Sequence, residues 1–339
     1  MTISKSETLS LKGLAIVMIV LHNVVHVISP VGENEFAFDA GNLSEMMHLF
    51  WSKPVEVSLS FFGWLGVSVF VFVSGYGLTE KYGERRFFPS TASWIGKHYR
   101  KLFLLLLPAY IGFLILLRAW NHPDLYSLPK IILQQLLLLN IFDPASIRPG
   151  VYWYLGLALQ LYLCFVVMRR WRLSYLIGVG VMCALAIEVL PDKMVFYLRH
   201  NCIGWMPEFV MGIVVARLKI SETSRCTEIL VAAIALCLVV LCQFSASTFA
   251  LSGCCFVGFV LTVRAMVFRL SGLVWLGGLS ASLYVIHPLV RYAWLFTVDK
   301  LSLPVSAVCS AIVVLIISII GAIIYQAIFP ISSDRNFRH

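Results

Sequence analysis

The residues best suited to chemistry in this sequence are two histidines in its first apolar stretch. The stretch begins near Lys12 and continues through His22, Asn23 and His26. In a helix His22 lies about 15 Å beyond Lys12, and His26, one turn later, shares its face. A positioned histidine is the side chain most often used as a general base. The pair therefore predicts a polar or hydrated cavity within the membrane, in which His22 or His26 could serve as a base with Asn23 beside it; alternatively, the three side chains join helices through hydrogen bonds.

Two more ionisable groups lie in later apolar stretches. His287 directly precedes Pro288, and Glu208 follows Pro207 near the start of its stretch. Either group could orient the base or a bound substrate. The structural alternatives are a histidine–proline kink and a hydrated carboxylate at the membrane surface. Neither a Ser-His-Asp arrangement nor a set of metal ligands is apparent, so no metal is predicted.

The densest basic segment runs from residue 81 to residue 101 and leads into an apolar stretch that contains Pro108. Arginine and lysine there could bind a polyphosphate through charge-assisted hydrogen bonds. The alternative is that they set membrane orientation and contact anionic lipids. The candidate ligand-binding residues are Lys12, Ser74, Arg85, Arg86, Arg100 and Lys101.

The composition requires a membrane setting for these groups. Of the 339 residues, 60% are hydrophobic and 13% are charged, and the mean hydropathy is +0.89. Soluble domains average about 45–50% apolar and about 25% charged residues, so a water-soluble globular protein is excluded. The net charge of +9 is concentrated at the ends of apolar stretches, which indicates membrane orientation and not nucleic-acid binding.

The apolar stretches predict an all-α, polytopic integral membrane protein. Ten spans follow if the short stretch 128–142 is re-entrant or interfacial, because about 20 residues are needed to cross. All basic clusters then face the cytoplasm, as do both termini; the alternative is eleven spans with 169–172 outside. We expect a single membrane domain over 1–339 without a separate soluble domain. The stretches are 11–30, 57–78, 102–120, 128–142, 151–168, 173–190, 203–217, 228–245, 248–268, 273–297 and 303–329.

Six motifs in order make the chain resemble the acyltransferase-3 family of membrane acyltransferases. Each is weak alone, but their order from Lys12 to about Tyr292 is specific. In the family's usual first motif the histidine stands eleven residues after the basic residue, whereas here His22 stands ten residues after Lys12 and Asn23 eleven. The motifs are Lys12-Gly-Leu-Ala…His22-Asn23, Gly66-Val-Ser-Val-Phe…Ser74-Gly75, His98-Tyr-Arg100-Lys101…Pro108, Trp153-Tyr-Leu-Gly, Pro207-Glu208-Phe…Gly212 and Ser280…Tyr284…His287-Pro288.

The resemblance implies an enzyme of the bacterial inner membrane that moves acetyl, or another short acyl group, from cytoplasmic acetyl-CoA to a hydroxyl of an extracytoplasmic glycan or lipid-linked sugar. It implies that Arg85, Arg86, Arg100 and Lys101 hold the phosphates of CoA, and that His22 or His26 is the base. Expected partners are the sugar acceptor and membrane lipid. The alternatives are a transporter or flippase that uses the histidines as a proton relay, and a structural membrane scaffold.

Overall fold

The computed structural model describes residues 3–29, 31–83, 90–120, 147–218, 225–267 and 270–330, with isolated positions between 133 and 144. Within these residues the secondary structure is helical, as the sequence predicts. The α-helices are α1 (Lys5–Ile28), α2 (Ala40–Phe50), α3 (Pro54–Phe62), α4 (Leu65–Tyr82), α5 (Thr91–Ala119), α6 (Trp153–Met168), α7 (Leu173–Val189), α8 (Asp192–Arg199), α9 (Met206–Leu218), α10 (Arg225–Leu241), α11 (Ser252–Val267), α12 (Ser271–Lys300) and α13 (Ala307–Ile328).

The described helices support a polytopic membrane protein but do not confirm ten spans. Six segments, which include α1, α5, α12 and α13, are long and apolar enough to cross a membrane. Helices α3 and α4 add a seventh if this pair, bent by 42°, forms one span. Helix α7 is apolar but shorter. Most of the stretch 128–142 lies outside the described residues.

Helix α1 carries the histidine pair and packs against α4, α12 and α13. It begins with a capping box in which the Ser4 hydroxyl accepts from the Glu7 N–H and the Glu7 carboxylate accepts from the Ser4 N–H. Glycines allow its close approach to α12, because a Cβ at Gly13 would collide with the Leu273 carbonyl and one at Gly277 with the Leu9 carbonyl. The two helices therefore meet backbone to backbone.

Two tyrosines join α12 to the start of α6. The Tyr152 hydroxyl donates to the Val285 carbonyl at 2.6 Å, and the Tyr284 hydroxyl donates to the Val151 carbonyl. Both tyrosines are buried, and a buried hydroxyl that has a partner avoids a large desolvation cost. These contacts hold the start of α6 against the middle of α12, where Pro288 interrupts the backbone hydrogen bonds.

Candidate active site

The imidazoles of His22 and His26 converge on the carboxyl group of Glu33. Nε2 of His22 lies 3.2 Å from Oε2 of Glu33, and Nε2 of His26 lies 3.8 Å from Oε1. The two rings stack with centroids 5.3 Å apart. The His22 side chain is 8% exposed, and that of His26 is 32% exposed. The structure therefore places both histidines at one site and adds a carboxyl group that the motifs did not include.

Hydrogen bonds at Nδ1 determine which nitrogen of each ring carries the proton. Nδ1 of His22 lies 3.0 Å from the Leu59 carbonyl, and a carbonyl only accepts. Nδ1 of His26 lies 2.9 Å from the Ser60 hydroxyl, which donates its own proton to the Val31 carbonyl. Both Nδ1 atoms are therefore donors. In the neutral rings both Nε2 atoms are bare acceptors that face Glu33.

The segment that carries Glu33 is held against the histidines by hydrogen bonds. The Val31 N–H donates to the Ser60 hydroxyl at 3.1 Å, and the Asn42 amide donates to the Glu33 carbonyl at 3.1 Å. Nε of Arg199 donates to the Glu35 carbonyl at 2.6 Å. Arg199 is completely buried, and its guanidinium lies 4.1 Å from the centroid of a tryptophan ring of the 202–205 turn. A loop attached at these points presents Glu33 in a defined position.

Burial changes the acidity of the two glutamates in this loop. It raises the pKa of Glu33 well above its usual value, and the nearby Glu35 raises it further. Burial also raises the pKa of Glu35 to about 8, although Arg199 opposes the rise. Desolvation disfavours the charged carboxylate, so the Glu33 carboxyl holds its proton at an unusually high pH. With that proton, Oε2 of Glu33 can donate a hydrogen bond to the unprotonated Nε2 of His22.

A buried arginine lies next to the histidine pair. Arg291 of α12 is 8% exposed, and its Nη1 donates to the backbone carbonyl of Asn23 at 3.1 Å and to its Oδ1 at 3.2 Å. The Asn23 amide nitrogen in turn donates to the Ile19 carbonyl. Asn23 therefore acts as a link that positions Arg291 beside the histidines. Its cation lies within electrostatic reach of both imidazoles.

These groups line a pocket of about 280 Å³, which we call the histidine pocket. One wall is aromatic: the His200 ring stacks on Phe36 with centroids 4.0 Å apart, and Trp153 lies edge-on to Phe36. Burial lowers the pKa of His200 to about 4, so this ring is neutral. The lining residues are His22, Asn23, His26, Val27, Glu33, Glu35, Phe36, Pro144, Ile147, Arg148, Gly150, Val151, Trp153, His200 and Arg291.

A second, smaller space is also lined by His22. This small cavity measures about 40 Å³ and shares His22, Asn23, Glu35, Val151 and Trp153 with the histidine pocket. Its remaining lining residues are Ile19, Trp64, Val67, Tyr154 and Tyr284. The imidazole of His22 therefore contacts both spaces, which suits a group that acts between two substrates.

A third space of about 1070 Å³, the basic pocket, contains the candidate phosphate-binding residues. Lys81, Lys97, Arg100 and Lys101 line it together with residues at the end of α13. Lys12 is half-buried and lies within electrostatic reach of Lys101. The basic pocket thus lies near the opposite end of α1 from His22. Arg85 and Arg86 lie outside the described residues.

Three predicted site residues have other surroundings. His287 is buried, its Nδ1 donates to the Leu283 carbonyl at 3.2 Å, and it lines neither space beside His22. Glu208 is buried and accepts from the Ser68 hydroxyl at 3.4 Å, also away from both spaces. The Ser74 hydroxyl donates to the Phe70 carbonyl and does not line the basic pocket.

Sequence reasoning missed Glu33 and Arg291 as site residues, although each left a signal. Glu33 stands seven residues after His26 in a short acidic segment. Arg291 follows His287 by one helical turn inside an apolar stretch. An ionisable group in such a stretch is costly in free energy and marks a functional position, as it does for the histidines.

The donor atoms of His22, His26 and Glu33 lie within 4.8 Å of one another. Two histidines and a carboxylate are also the ligands of a common class of zinc site. A single proton shared among these three side chains would occupy the same donor atoms without a metal. The nearby Arg291 cation opposes the binding of a second cation.

Comparisons with known proteins identify the family. The family model described as an acyltransferase domain matches residues 10–326 of the chain. Curated proteins and solved structures gave no match. The matched range includes all the residues of α1 that line the histidine pocket and the four basic residues of the basic pocket. The family's activity favours acyl transfer over transport. The chain belongs to the acyltransferase-3 family and is an enzyme that transfers acyl groups.

Proposed function

We propose that this enzyme transfers an acetyl or other short acyl group from acyl-CoA on the cytoplasmic side to a sugar hydroxyl on the opposite side of the bacterial inner membrane. The observation that carries the proposal is the pair of bare Nε2 atoms that face Glu33 in the histidine pocket. This arrangement takes up one proton in a buried site, as a general base must.

The basic pocket is the proposed site for the nucleotide end of CoA. Its volume of about 1070 Å³ is at the upper end for small-molecule sites. Arg100 and Lys101 supply positive charge for the phosphates, and Lys81 and Lys97 lie around the same space. The aromatic ring of Tyr162 lies 4.7 Å from that of His98 in this pocket. Tyr154, on the same helix, lines the small cavity about 12 Å away along the helix axis. The pantetheine arm would follow α6 over this distance.

The histidine pocket is the proposed acceptor site. The stacked rings of Phe36 and His200 and the edge-on Trp153 offer apolar faces for the C–H surface of a sugar. Arg148 and Glu33 offer hydrogen-bonding groups at the same pocket. A few polar groups within a largely aromatic wall are typical of small-molecule sites.

The proposed reaction balances with the groups at hand. The acting form of the His22 Nε2–Glu33 Oε2 pair has first released the Glu33 proton to solvent. The sugar oxygen then attacks the thioester carbonyl carbon while its own proton passes to the vacant pair. A C–O bond forms, and the carbonyl oxygen carries the negative charge of the tetrahedral intermediate. When the C–S bond breaks, the proton passes from the pair to the thiolate, and CoA leaves as its thiol.

The proposed orientation has both termini in the cytoplasm. It rests on the basic clusters at alternate ends of the apolar stretches and predicts opposite sides for the exposed Cys226 and Cys309. Single-cysteine variants in intact cells should react with a membrane-impermeant maleimide at Cys309 and not at Cys226. The reverse pattern, or labelling of both, would contradict this orientation.

Transfer itself is tested in inside-out membrane vesicles from the natural host, with its own gene deleted and each variant restored. Radiolabelled acetyl-CoA should label the glycan fraction. His22→Ala should reduce labelling about 10²–10⁴-fold, whereas His48→Ala, which removes an exposed histidine of α2, should leave it unchanged. Normal labelling by a well-folded His22→Ala variant would refute His22 as part of the base. Absence of labelling by the wild type would refute the donor or the acceptor.

A further inference from the structure

We propose that the small cavity beside His22 is the acyl pocket of the thioester, that it admits acetyl and excludes longer chains, and that the Trp64 indole N–H holds the acyl carbonyl oxygen. This inference rests on the proposed function and adds to it a size limit and a catalytic donor.

The volume of the small cavity sets the size limit. A single water needs about 10–15 Å³ of such space, so the cavity of about 40 Å³ holds about three heavy atoms. An acetyl group has three heavy atoms: a carbonyl carbon, an oxygen and a methyl carbon. A butyryl group adds two carbons, for which the wall must move.

The wall around the cavity is well packed and resists such movement. Ile19 is 4% exposed, Trp64 1% and Val67 8%, and all three belong to the largest hydrophobic core cluster. Protein interiors are packed as densely as organic crystals, so extra methylene groups meet atoms and not free space. A single methylene in such a pocket changes the discrimination between substrates by about 10–200-fold.

One polar group of the wall, the Trp64 indole, is a buried donor without a partner in the described part of the chain. Asn23 is paired with Ile19 and Arg291, and the Tyr284 hydroxyl donates to the Val151 carbonyl. Nε1 of Trp64 is buried and has no hydrogen-bond partner among the described residues. A buried unpaired N–H is costly, and the carbonyl oxygen of an acyl group in this cavity is a suitable acceptor. When the hydroxyl attacks, the same N–H stabilises the oxyanion.

The indole ring is held in place by its other contacts. The guanidinium of Arg199 lies 5.4 Å from the centroid of the Trp64 ring, and Trp205 packs edge-on to it. On the α1 side, a Cβ at Gly63 would collide with the Cβ of His22. The residues that flank the bend between α3 and α4 therefore lie directly against the base. A donor fixed so close to the base suits a thioester carbonyl that His22 must also approach.

The size limit is tested with two ketone analogues of acyl-CoA, in which a methylene replaces the sulfur atom and the acyl part is acetyl or butyryl. The purified protein in detergent should bind the acetyl analogue at least about tenfold more tightly than the butyryl analogue. Val67→Ala should reduce this ratio severalfold. Val69→Ala is the matched control, because Val69 is also buried in α4 but does not line the cavity. Ile19→Val, with Ile16→Val as its control, is a milder pair in case Val67→Ala unfolds.

The donor is tested by turnover in the vesicle assay. Trp64→Phe should lower kcat with acetyl-CoA about 10²–10³-fold and leave KM nearly unchanged. Trp294→Phe removes another buried N–H without a partner, away from the cavity, and should leave kcat unchanged. Three outcomes would overturn the inference while acetyl transfer still stood. They are equal affinity for the two analogues, the same affinity ratio in Val67→Ala as in Val69→Ala, and a normal kcat for Trp64→Phe. If neither analogue binds and no label is transferred, the proposed function itself is wrong.

Discussion

Nε2 of His22 and Oε2 of Glu33 lie 3.2 Å apart, and the opposite nitrogen of the same ring donates to the Leu59 carbonyl. Two acceptors at this distance repel each other unless they share a proton. The base that we propose is therefore a pair of groups and not one histidine. His26 faces the same carboxyl group at 3.8 Å and supports the pair from the more exposed side.

The first prediction concerns Glu33→Gln. A glutamine amide can still donate to Nε2 of His22, but it cannot take up the proton of the acceptor hydroxyl. We expect kcat to fall about 10²-fold or more, with little change in the affinity for acyl-CoA, because the basic pocket is near the far end of α1. Glu56→Gln, a change at a half-buried residue of α3 that lines neither space beside His22, is the control. A Glu33→Gln enzyme with normal kcat would show that His22 acts without this carboxyl group.

The helical fold and one half of the site follow from the sequence, for physical reasons that differ between residues. Apolar stretches of the required length predict helices because backbone groups in lipid must bond internally, and the i, i+4 spacing places His22 and His26 on one face. Glu33 could not be assigned in this way, because its position depends on contacts of its loop with Ser60 and Arg199. These partners are 27 and more than 160 residues away along the chain.

His287 illustrates the opposite case. The sequence identifies a buried histidine before a proline but cannot tell which way the side chain faces across α12. The structure places its neighbour one turn later, Arg291, in contact with Asn23, while His287 itself bonds to its own helix. Helical periodicity predicts which residues share a face, but the partner of that face depends on tertiary packing.

The second prediction concerns pH and stability at Glu35. Its pKa rises from 4.5 to about 8 on burial, so the folded protein binds this proton more tightly than the unfolded chain does. The contribution to stability is complete below about pH 4.5 and is lost as the pH rises through about 8. The Tm of the wild type should fall over this range, and Glu35→Gln should flatten the fall. Thermal unfolding from pH 5 to pH 9 checks this, with Glu45→Gln as control. If the Tm of Glu35→Gln falls with pH as steeply as that of the wild type, the pH dependence does not come from Glu35.

The third prediction concerns metals. If His22, His26 and Glu33 share a proton, they need no metal ion to hold them together. Treatment with a chelator should therefore leave acyl transfer unchanged. Added zinc should inhibit, because the same donor atoms can close on a metal and the base is then blocked. His26→Ala should weaken this inhibition by about tenfold or more, since loss of a ligand lowers zinc affinity. Loss of activity with the chelator and its recovery with zinc would instead identify a catalytic metal.

The fourth prediction separates the two interpretations of the basic pocket. If Arg100 and Lys101 bind the phosphates of CoA, then Arg100→Glu and Lys101→Glu should each raise the Kd of CoA by about tenfold or more, because a hydrogen bond to a charged group contributes about 1.5–3 kcal/mol. The measurement is direct titration of CoA into the purified protein in a neutral detergent, where anionic lipid is absent. The effect should shrink at high salt, since exposed charges are screened.

The control for these two variants is Lys193→Glu, which reverses an exposed charge in α8 away from the pocket and should leave the Kd unchanged. The lipid interpretation predicts a different outcome. The Kd of CoA would stay constant in Arg100→Glu and Lys101→Glu, while binding of the purified variants to anionic lipid would fall relative to the wild type. These charges would then orient the protein in the membrane, and the phosphates of CoA would need another site.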